Sequence, residues 1–108
     1  MNDNRIQLLL QFIKEQPDDP FNVYALAMEY RDDQPAQALH YLKQLLAEHP
    51  GYLPTYYHAA ALYAEQNDRS AAEEIYQRGI ELARAQNNEK AFQELSRAYR
   101  GFQDDDEY

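Results

Sequence analysis

The sequence of 108 residues contains no cysteine, which excludes a disulfide framework, a thiolate metal site and a cysteine nucleophile. Valine and threonine occur once each, as Val23 and Thr55, and only three glycines are present. Because alanine, leucine, glutamine and glutamate are abundant instead, the composition favours helix and leaves little material for a sheet. The longest apolar run near the N-terminus, residues 8–10, is too short for a secretory signal or a membrane span. We therefore expect a cytoplasmic protein with no membrane partner.

Basic residues are also scarce, with 10 against 19 acidic residues and a net charge of −9. This balance disfavours nucleic acid as the main partner, because a polyanion selects basic surfaces. An apolar fraction of 44% with 14 aromatic residues excludes a wholly disordered chain. We predict one helical domain over residues 1–101, with Gly101 ending the last helix, and an acidic, disordered tail over 102–108.

Five short segments rich in proline, asparagine or aspartate divide the chain at residues 17–20, 32–35, 49–54, 67–68 and 87–88. Apolar residues in the six intervening stretches follow the i, i+3, i+4, i+7 spacing of an amphipathic helix. The first stretch, for example, is predicted to bury Ile6, Leu9, Leu10 and Ile13. The pattern predicts an all-α fold of about six helices, and the short loops between them favour antiparallel neighbours.

The chain also contains an internal repeat with a period of 33 to 34 residues. Leu26, Ala27 and Tyr30 recur 33 residues later as Ala, Ala and Tyr at positions 59, 60 and 63. Ala38 and Leu42 recur 34 residues later as Ala72 and Tyr76, and a weaker third copy ends at Tyr99. Small residues at the alanine positions let two helices approach closely, and the larger residues fill the space around them. A two-helix unit of this kind buries its apolar face only by stacking on its neighbours.

These positions resemble the tetratricopeptide repeat family, whose helix–turn–helix unit has about 34 residues and the pattern W-x₂-L-G-x₂-Y…A-x₃-F…P. The resemblance gives two full repeats, residues 20–52 and 53–86, and half-repeats at 3–17 and 88–100. In the second repeat Arg84 replaces the closing proline, which predicts a longer fifth helix. The resemblance implies a right-handed α–α superhelix and a small, stand-alone, bacterial-type member of the family.

Residues that carry chemistry are not clustered in the sequence. The three histidines, His40, His49 and His58, do not form the i, i+3 or i, i+4 pairs that place two imidazoles on one helical face. The three glycines are isolated, so no phosphate-binding loop is present. We predict no catalytic residue, no metal site and no cofactor.

In the resembled family, one face of the first helix of each repeat lines a concave groove that holds a peptide or a partner helix. The matching positions here are predicted to form a protein-binding groove with an aromatic, methionine-containing section and a basic end: Phe21, Tyr24, Met28, Tyr57, Ala61 and Arg97. Tyrosine and methionine suit adaptable contacts, and arginine suits carboxylates. The lysine and asparagine by which some members clamp the acidic tails of chaperones are absent from these positions, so that clamp is not expected.

The leading interpretation is a non-catalytic protein-interaction module, an adaptor or assembly factor whose partner is a protein or peptide. A basic peptide is one variant, because the net charge is negative. Self-association into a homodimer is an alternative, and an exposed apolar strip on an end helix would favour it. A role in binding a small ligand, or in catalysis through Tyr57 and His58 in the groove, is a further alternative.

Overall fold

The computed structural model describes residues 2–105, and all regular secondary structure in this range is helical. The helices are α1 (Asp3–Glu15), α2 (Pro20–Tyr30), α3 (Pro35–Glu48), α4 (Pro54–Glu65), α5 (Arg69–Ala85) and α6 (Glu89–Asp105). The predicted all-α fold of six helices is therefore confirmed. As Arg84 predicts, α5 is longer than α3, with 17 residues against 14.

Proline and short polar side chains define where the helices begin. Pro20, Pro35 and Pro54 are each the first residue of a helix, where the missing N–H costs nothing. The Asp19 carboxylate accepts a hydrogen bond of 3.0 Å from the Phe21 N–H and caps α2. The Asn2 side chain accepts a bond of the same length from the Arg5 N–H and caps α1.

The turns after α4 and α5 both contain an asparagine in the left-handed conformation. Asn67 and Asn87 adopt positive φ angles of 64° and 57°, the left-handed conformation that ends many helices. In the first turn, the Asp68 N–H donates to the Tyr63 carbonyl at 2.9 Å, and the Asn67 N–H donates to the Ala64 carbonyl at 3.0 Å. The Asp68 side chain then caps α5 by accepting from the Ala71 N–H. One three-residue segment thus ends one helix and starts the next.

The chain divides into two compact units, the first ending at Thr55 and the second beginning at Tyr56. In the first unit α2 packs against both α1 and α3. A core cluster of Ile6, Leu9, Ala25 and Leu26 joins α1 to α2. Leu10, which the periodicity places on the buried face, is instead 40% exposed, because the core lies on the side of Leu9 and Ile13.

In the second unit α5 packs against α6, and α4 approaches α5 closely at Gly79. The alanines at the small repeat positions, Ala60 and Ala72, are fully buried, as are Ala27 and Ala38 in the first unit. The tyrosines of the repeat were expected in the core, but only Tyr76 is buried. The other three are half-buried: Tyr30, Tyr63 and Tyr99.

The last helix does not end at Gly101. It continues to Asp105, so residues 102–105, which were predicted to belong to the disordered tail, are helical. Phe102 explains the extension, because its ring packs 5.5 Å from that of Tyr76 and 4.0 Å from the Arg69 guanidinium. Residues 106–108 lie outside the described range, and their disorder stays a prediction.

Candidate protein-binding site

The first unit presents one aromatic face on α2. Phe21, Tyr24 and Met28 follow an i, i+3, i+7 spacing, so they share the side of α2 that lies away from Val23, Leu26 and Ala27. Phe21 is 57% exposed, and Tyr24 and Met28 are half-buried. The three residues that the sequence predicts for this unit are thus brought together on one accessible helical face.

Tyr52, in the loop before α4, adds a fourth aromatic side chain to this region. Its ring meets that of Tyr24 edge-on at a centroid distance of 5.9 Å. Burial raises the pKa of both phenols, and Tyr24 and Asp19 raise that of Tyr52 further. Sequence reasoning missed Tyr52 because it lies outside the helical repeat positions. The one feature of the sequence that could have indicated Tyr52 is its position next to Gly51 and Leu53, in the segment between two predicted helices.

The second unit presents Tyr57 and Ala61 one turn apart on α4. Tyr57 is 44% exposed and Ala61 is half-buried. The Tyr57 ring contacts the neighbouring His58 imidazole edge-on at 5.2 Å. Burial raises the pKa of the core residue Tyr76, and the proximity of Tyr57 and Glu65 raises it further.

Arg97, the predicted basic end, is exposed on α6, a different helix from Tyr57 and Ala61. It lies on the face opposite Leu95, together with Lys90 and Arg100, which are also exposed. The cationic groups therefore point to solvent and are available to carboxylates. Another face of α6 packs against α5. On that face the Tyr99 hydroxyl donates a hydrogen bond to Glu73 Oε1 at 2.9 Å and accepts one from the Gln77 side chain at 3.0 Å.

His40 lies on α3 and His49 is the C-cap of the same helix, whereas His58 lies on α4. Within residues 2–105 no group of three or more histidine, aspartate or glutamate side chains is arranged to hold a metal ion. None of the helices in the same range is both long enough and apolar enough to span a bilayer.

Comparison with known proteins identifies the fold. A sequence profile described as tetratricopeptide repeat matches residues 29–89, more than half of the chain. The chain belongs to the tetratricopeptide repeat family. The crystal structure of a tetratricopeptide repeat domain protein from Salinibacter ruber is 36% identical, with a TM-score of 0.75 over 79% of this chain and 96% of that one.

A solution structure of a tetratricopeptide repeat domain protein from the same organism gives a similar result. It is 36% identical, with a TM-score of 0.74 over 81% of this chain and 89% of that one. No curated protein matches the sequence significantly. Tetratricopeptide repeats generally mediate protein–protein interaction, and the family is generally a non-enzymatic scaffold.

Proposed function

We propose that this tetratricopeptide repeat protein is a non-catalytic adaptor or assembly factor that binds a peptide or helix of a partner protein. The proposed contact residues are Phe21, Tyr24 and Met28 in the first unit, and Tyr57, Ala61 and Arg97 in the second. The observation that carries the proposal is the exposure of Phe21 and Tyr57. Large aromatic side chains at these positions are accessible although each unit has a buried core in which they could pack.

The chemistry of the residues in the first unit supports apolar anchors on the partner, and Arg97 in the second unit supports a carboxylate on the partner. The edge-on pair of Tyr24 and Tyr52 and the ring of Phe21 supply a wide apolar area with few rotatable bonds. Met28 adapts to irregular shapes. The exposed guanidinium of Arg97 suits a carboxylate of the partner.

Photo-cross-linking tests the proposal in each unit separately. Benzoylphenylalanine incorporated at Phe21 or at Tyr57 is expected to label the same partner protein in native lysate. Glu81, exposed on α5 and outside the proposed face, is the control position and is expected to label no such protein. Labelling of different proteins from positions 21 and 57, or equal labelling from position 81, would contradict the proposal.

Binding of the purified partner then gives the contribution of each tyrosine. Tyr24→Ala and Tyr57→Ala are each expected to weaken binding about tenfold or more, because aromatic anchors contribute ~2 kcal/mol or more to such interfaces. Glu81→Ala is expected to leave the dissociation constant unchanged. Circular dichroism checks that each variant retains its helicity. Unchanged affinity in the Tyr24→Ala/Tyr57→Ala double variant would contradict the proposed site.

A further inference from the structure

The N-terminal helix has a second apolar face besides the one that packs on α2. Ile6 and Leu9 are buried, but Leu8 is 52% exposed and Phe12 is 39% exposed. These two side chains lie four residues apart and therefore share one side of α1. Within residues 2–105, α6 offers no comparable surface. Its large apolar side chains, Phe92, Leu95, Tyr99 and Phe102, are all half-buried or buried.

Charged residues extend this face of α1 at both ends. Arg5, Leu8, Phe12 and Glu15 are spaced by three, four and three residues. At about 100° per residue they lie within an arc of ~80° on the helix surface. This alternation of three and four is the seam of a coiled coil, here with apolar residues at the centre and opposite charges at the ends.

The seam is complementary to itself when a second copy of α1 lies antiparallel to the first. A two-fold axis at the level of Leu10 sets Leu8 opposite the partner's Phe12 and Arg5 opposite the partner's Glu15. The symmetry repeats both contacts, so the pairing closes after two copies. A parallel pairing would instead set arginine against arginine and glutamate against glutamate.

The two charged residues retain capacity for this contact. Arg5 forms an ion pair with Glu29 of α2 through Nε, but its side chain is 53% exposed and carries further donors. Glu15 is exposed, and its Oε1 accepts a hydrogen bond of 3.0 Å from Gln11 on the same helix.

We propose that α1 is a homodimerisation surface on which a second copy of this chain docks antiparallel through Arg5, Leu8, Phe12 and Glu15. The occupant is a second copy because the seam complements its own charge pattern. One helix pair of 13 residues covers less than the ~800 Å² per partner of a standard stable interface, so the dimer is weak and reversible. This surface is distinct from the proposed partner-binding residues on α2, α4 and α6.

Mass-resolved measurements over a concentration series give the first test. Light scattering and sedimentation equilibrium from about 10 μM to about 1 mM, a range that covers weak dimers, should show a reversible monomer–dimer equilibrium. The Leu8→Gln/Phe12→Gln double variant should remain monomeric. Lys14→Glu, a charge change on a different side of α1, is the matched control and should dimerise like the wild type. A monomer at every concentration, or a dimer in the double glutamine variant, would overturn the proposal.

Charge exchange tests the antiparallel register. Arg5→Glu alone and Glu15→Arg alone each place like charges opposite one another, so each should raise the dimer dissociation constant about fivefold or more. An equimolar mixture of the two single variants restores both attractive contacts and should form a heterodimer. Glu29→Gln removes the ion pair of Arg5 within the chain, but should leave dimerisation intact. Failure of the mixture to associate better than its components would contradict the antiparallel arrangement.

Because the chain has no cysteine, disulfide trapping gives an independent readout. Leu8→Cys mixed with Phe12→Cys should form a covalent dimer under mild oxidation faster than either variant alone. The Glu81→Cys variant measures random collision. If another protein rather than a second copy is trapped at positions 8 and 12, the surface belongs to that partner and the homodimer is rejected.

Discussion

Gly79 lies in the middle of α5, although glycine is among the poorest helix formers. A Cβ atom at this position would stand 2.7 Å from the Cβ of Tyr56 and 3.3 Å from a methyl group of Leu95. The first contact is with an atom fixed to the α4 backbone, so a side chain at 79 forces the helices apart. Glycine is thus required here by the close approach of α4 and α5.

We predict that Gly79→Ala lowers the free energy of unfolding by about 1–3 kcal/mol despite the better helix propensity of alanine, because the core is overpacked. Urea denaturation measures the change. Gly101 provides the matched control, because it also lies within a helix but a Cβ there meets nothing within 4 Å. Gly101→Ala should stabilise the protein by about 0.5–1 kcal/mol. Stabilisation by both substitutions would contradict the proposed close approach.

Asn67 and Asn87 are the two described non-glycine residues with positive φ angles. We expect Asn67→Ala to cost about 1 kcal/mol, because alanine in the left-handed region suffers a clash that asparagine offsets locally. Asn67→Gly should retain wild-type stability within about 0.5 kcal/mol. Thermal denaturation of the Asn67→Ala and Asn67→Gly variants distinguishes the effect of the backbone conformation on stability from the effect of side-chain contacts. Equal loss in both variants would show that the amide group, and not the backbone angle, matters.

At the scale of the element, α6 shows how a tertiary contact sets the length of a helix. The Phe102 carbonyl lies in the last turn of α6, where intrahelical donors run out. Arg69 Nη2, from the start of α5, donates to it at 2.8 Å while the guanidinium covers the Phe102 ring. One side chain therefore caps the helix end and packs its last aromatic residue.

We predict that Arg69→Met lowers the free energy of unfolding by about 1–2 kcal/mol, because a charge-assisted hydrogen bond and a cation–π contact are lost together. Hydrogen exchange should accelerate at the amides of residues 102–105 more than in α5. Arg69→Lys keeps the charge without the planar fork and should give a smaller effect. Unchanged exchange at the end of α6 in Arg69→Met would refute this account of its length.

At the scale of the whole molecule, tyrosine ionisation couples to folding in both units. Burial raises the pKa of five phenols above the ordinary value of 10.0: Tyr24, Tyr52, Tyr63, Tyr76 and Tyr99. For Tyr99 the hydrogen bond to Glu73 adds to this effect. The unfolded chain therefore loses these protons at lower pH than the folded protein does.

We predict that this contribution to stability is fully present below pH 10.0 and is lost progressively as the pH rises above it, through the raised folded-state pKa values. Tyrosine ionisation should be followed by absorbance near 295 nm, where tyrosinate absorbs. The chain has no tryptophan to interfere. Circular dichroism over the same pH range should report the loss of helix. Tyr99→Phe should lose less stability over this range than the wild type. Tyrosine titration complete before any loss of helix would contradict the coupling.

Local sequence was enough to predict six helices and the proline-, asparagine- or aspartate-rich segments that divide them, and the internal repeat indicated the family. Helical periodicity and capping chemistry act within a few residues, so a single sequence records them. The family resemblance assigned Phe21, Tyr24 and Met28 to one face of α2, and in the structure these side chains share one side of that helix. Whether these residues bind a partner stays a proposal, because exposure alone identifies no ligand.

Tertiary structure alone decided which apolar residues are covered, because burial depends on the side from which a neighbouring helix approaches. Leu9 and Leu10 are adjacent in sequence, yet α2 covers the first and leaves the second exposed. Other contacts also depend on residues that are distant in sequence. Tyr52 pairs with Tyr24, and Gly79 lies against Tyr56. The extension of α6 past Gly101 depends on the contact between Arg69 and Phe102. The scarcity of valine and threonine thus indicated the kind of element, whereas packing determined which surfaces remain open to partners.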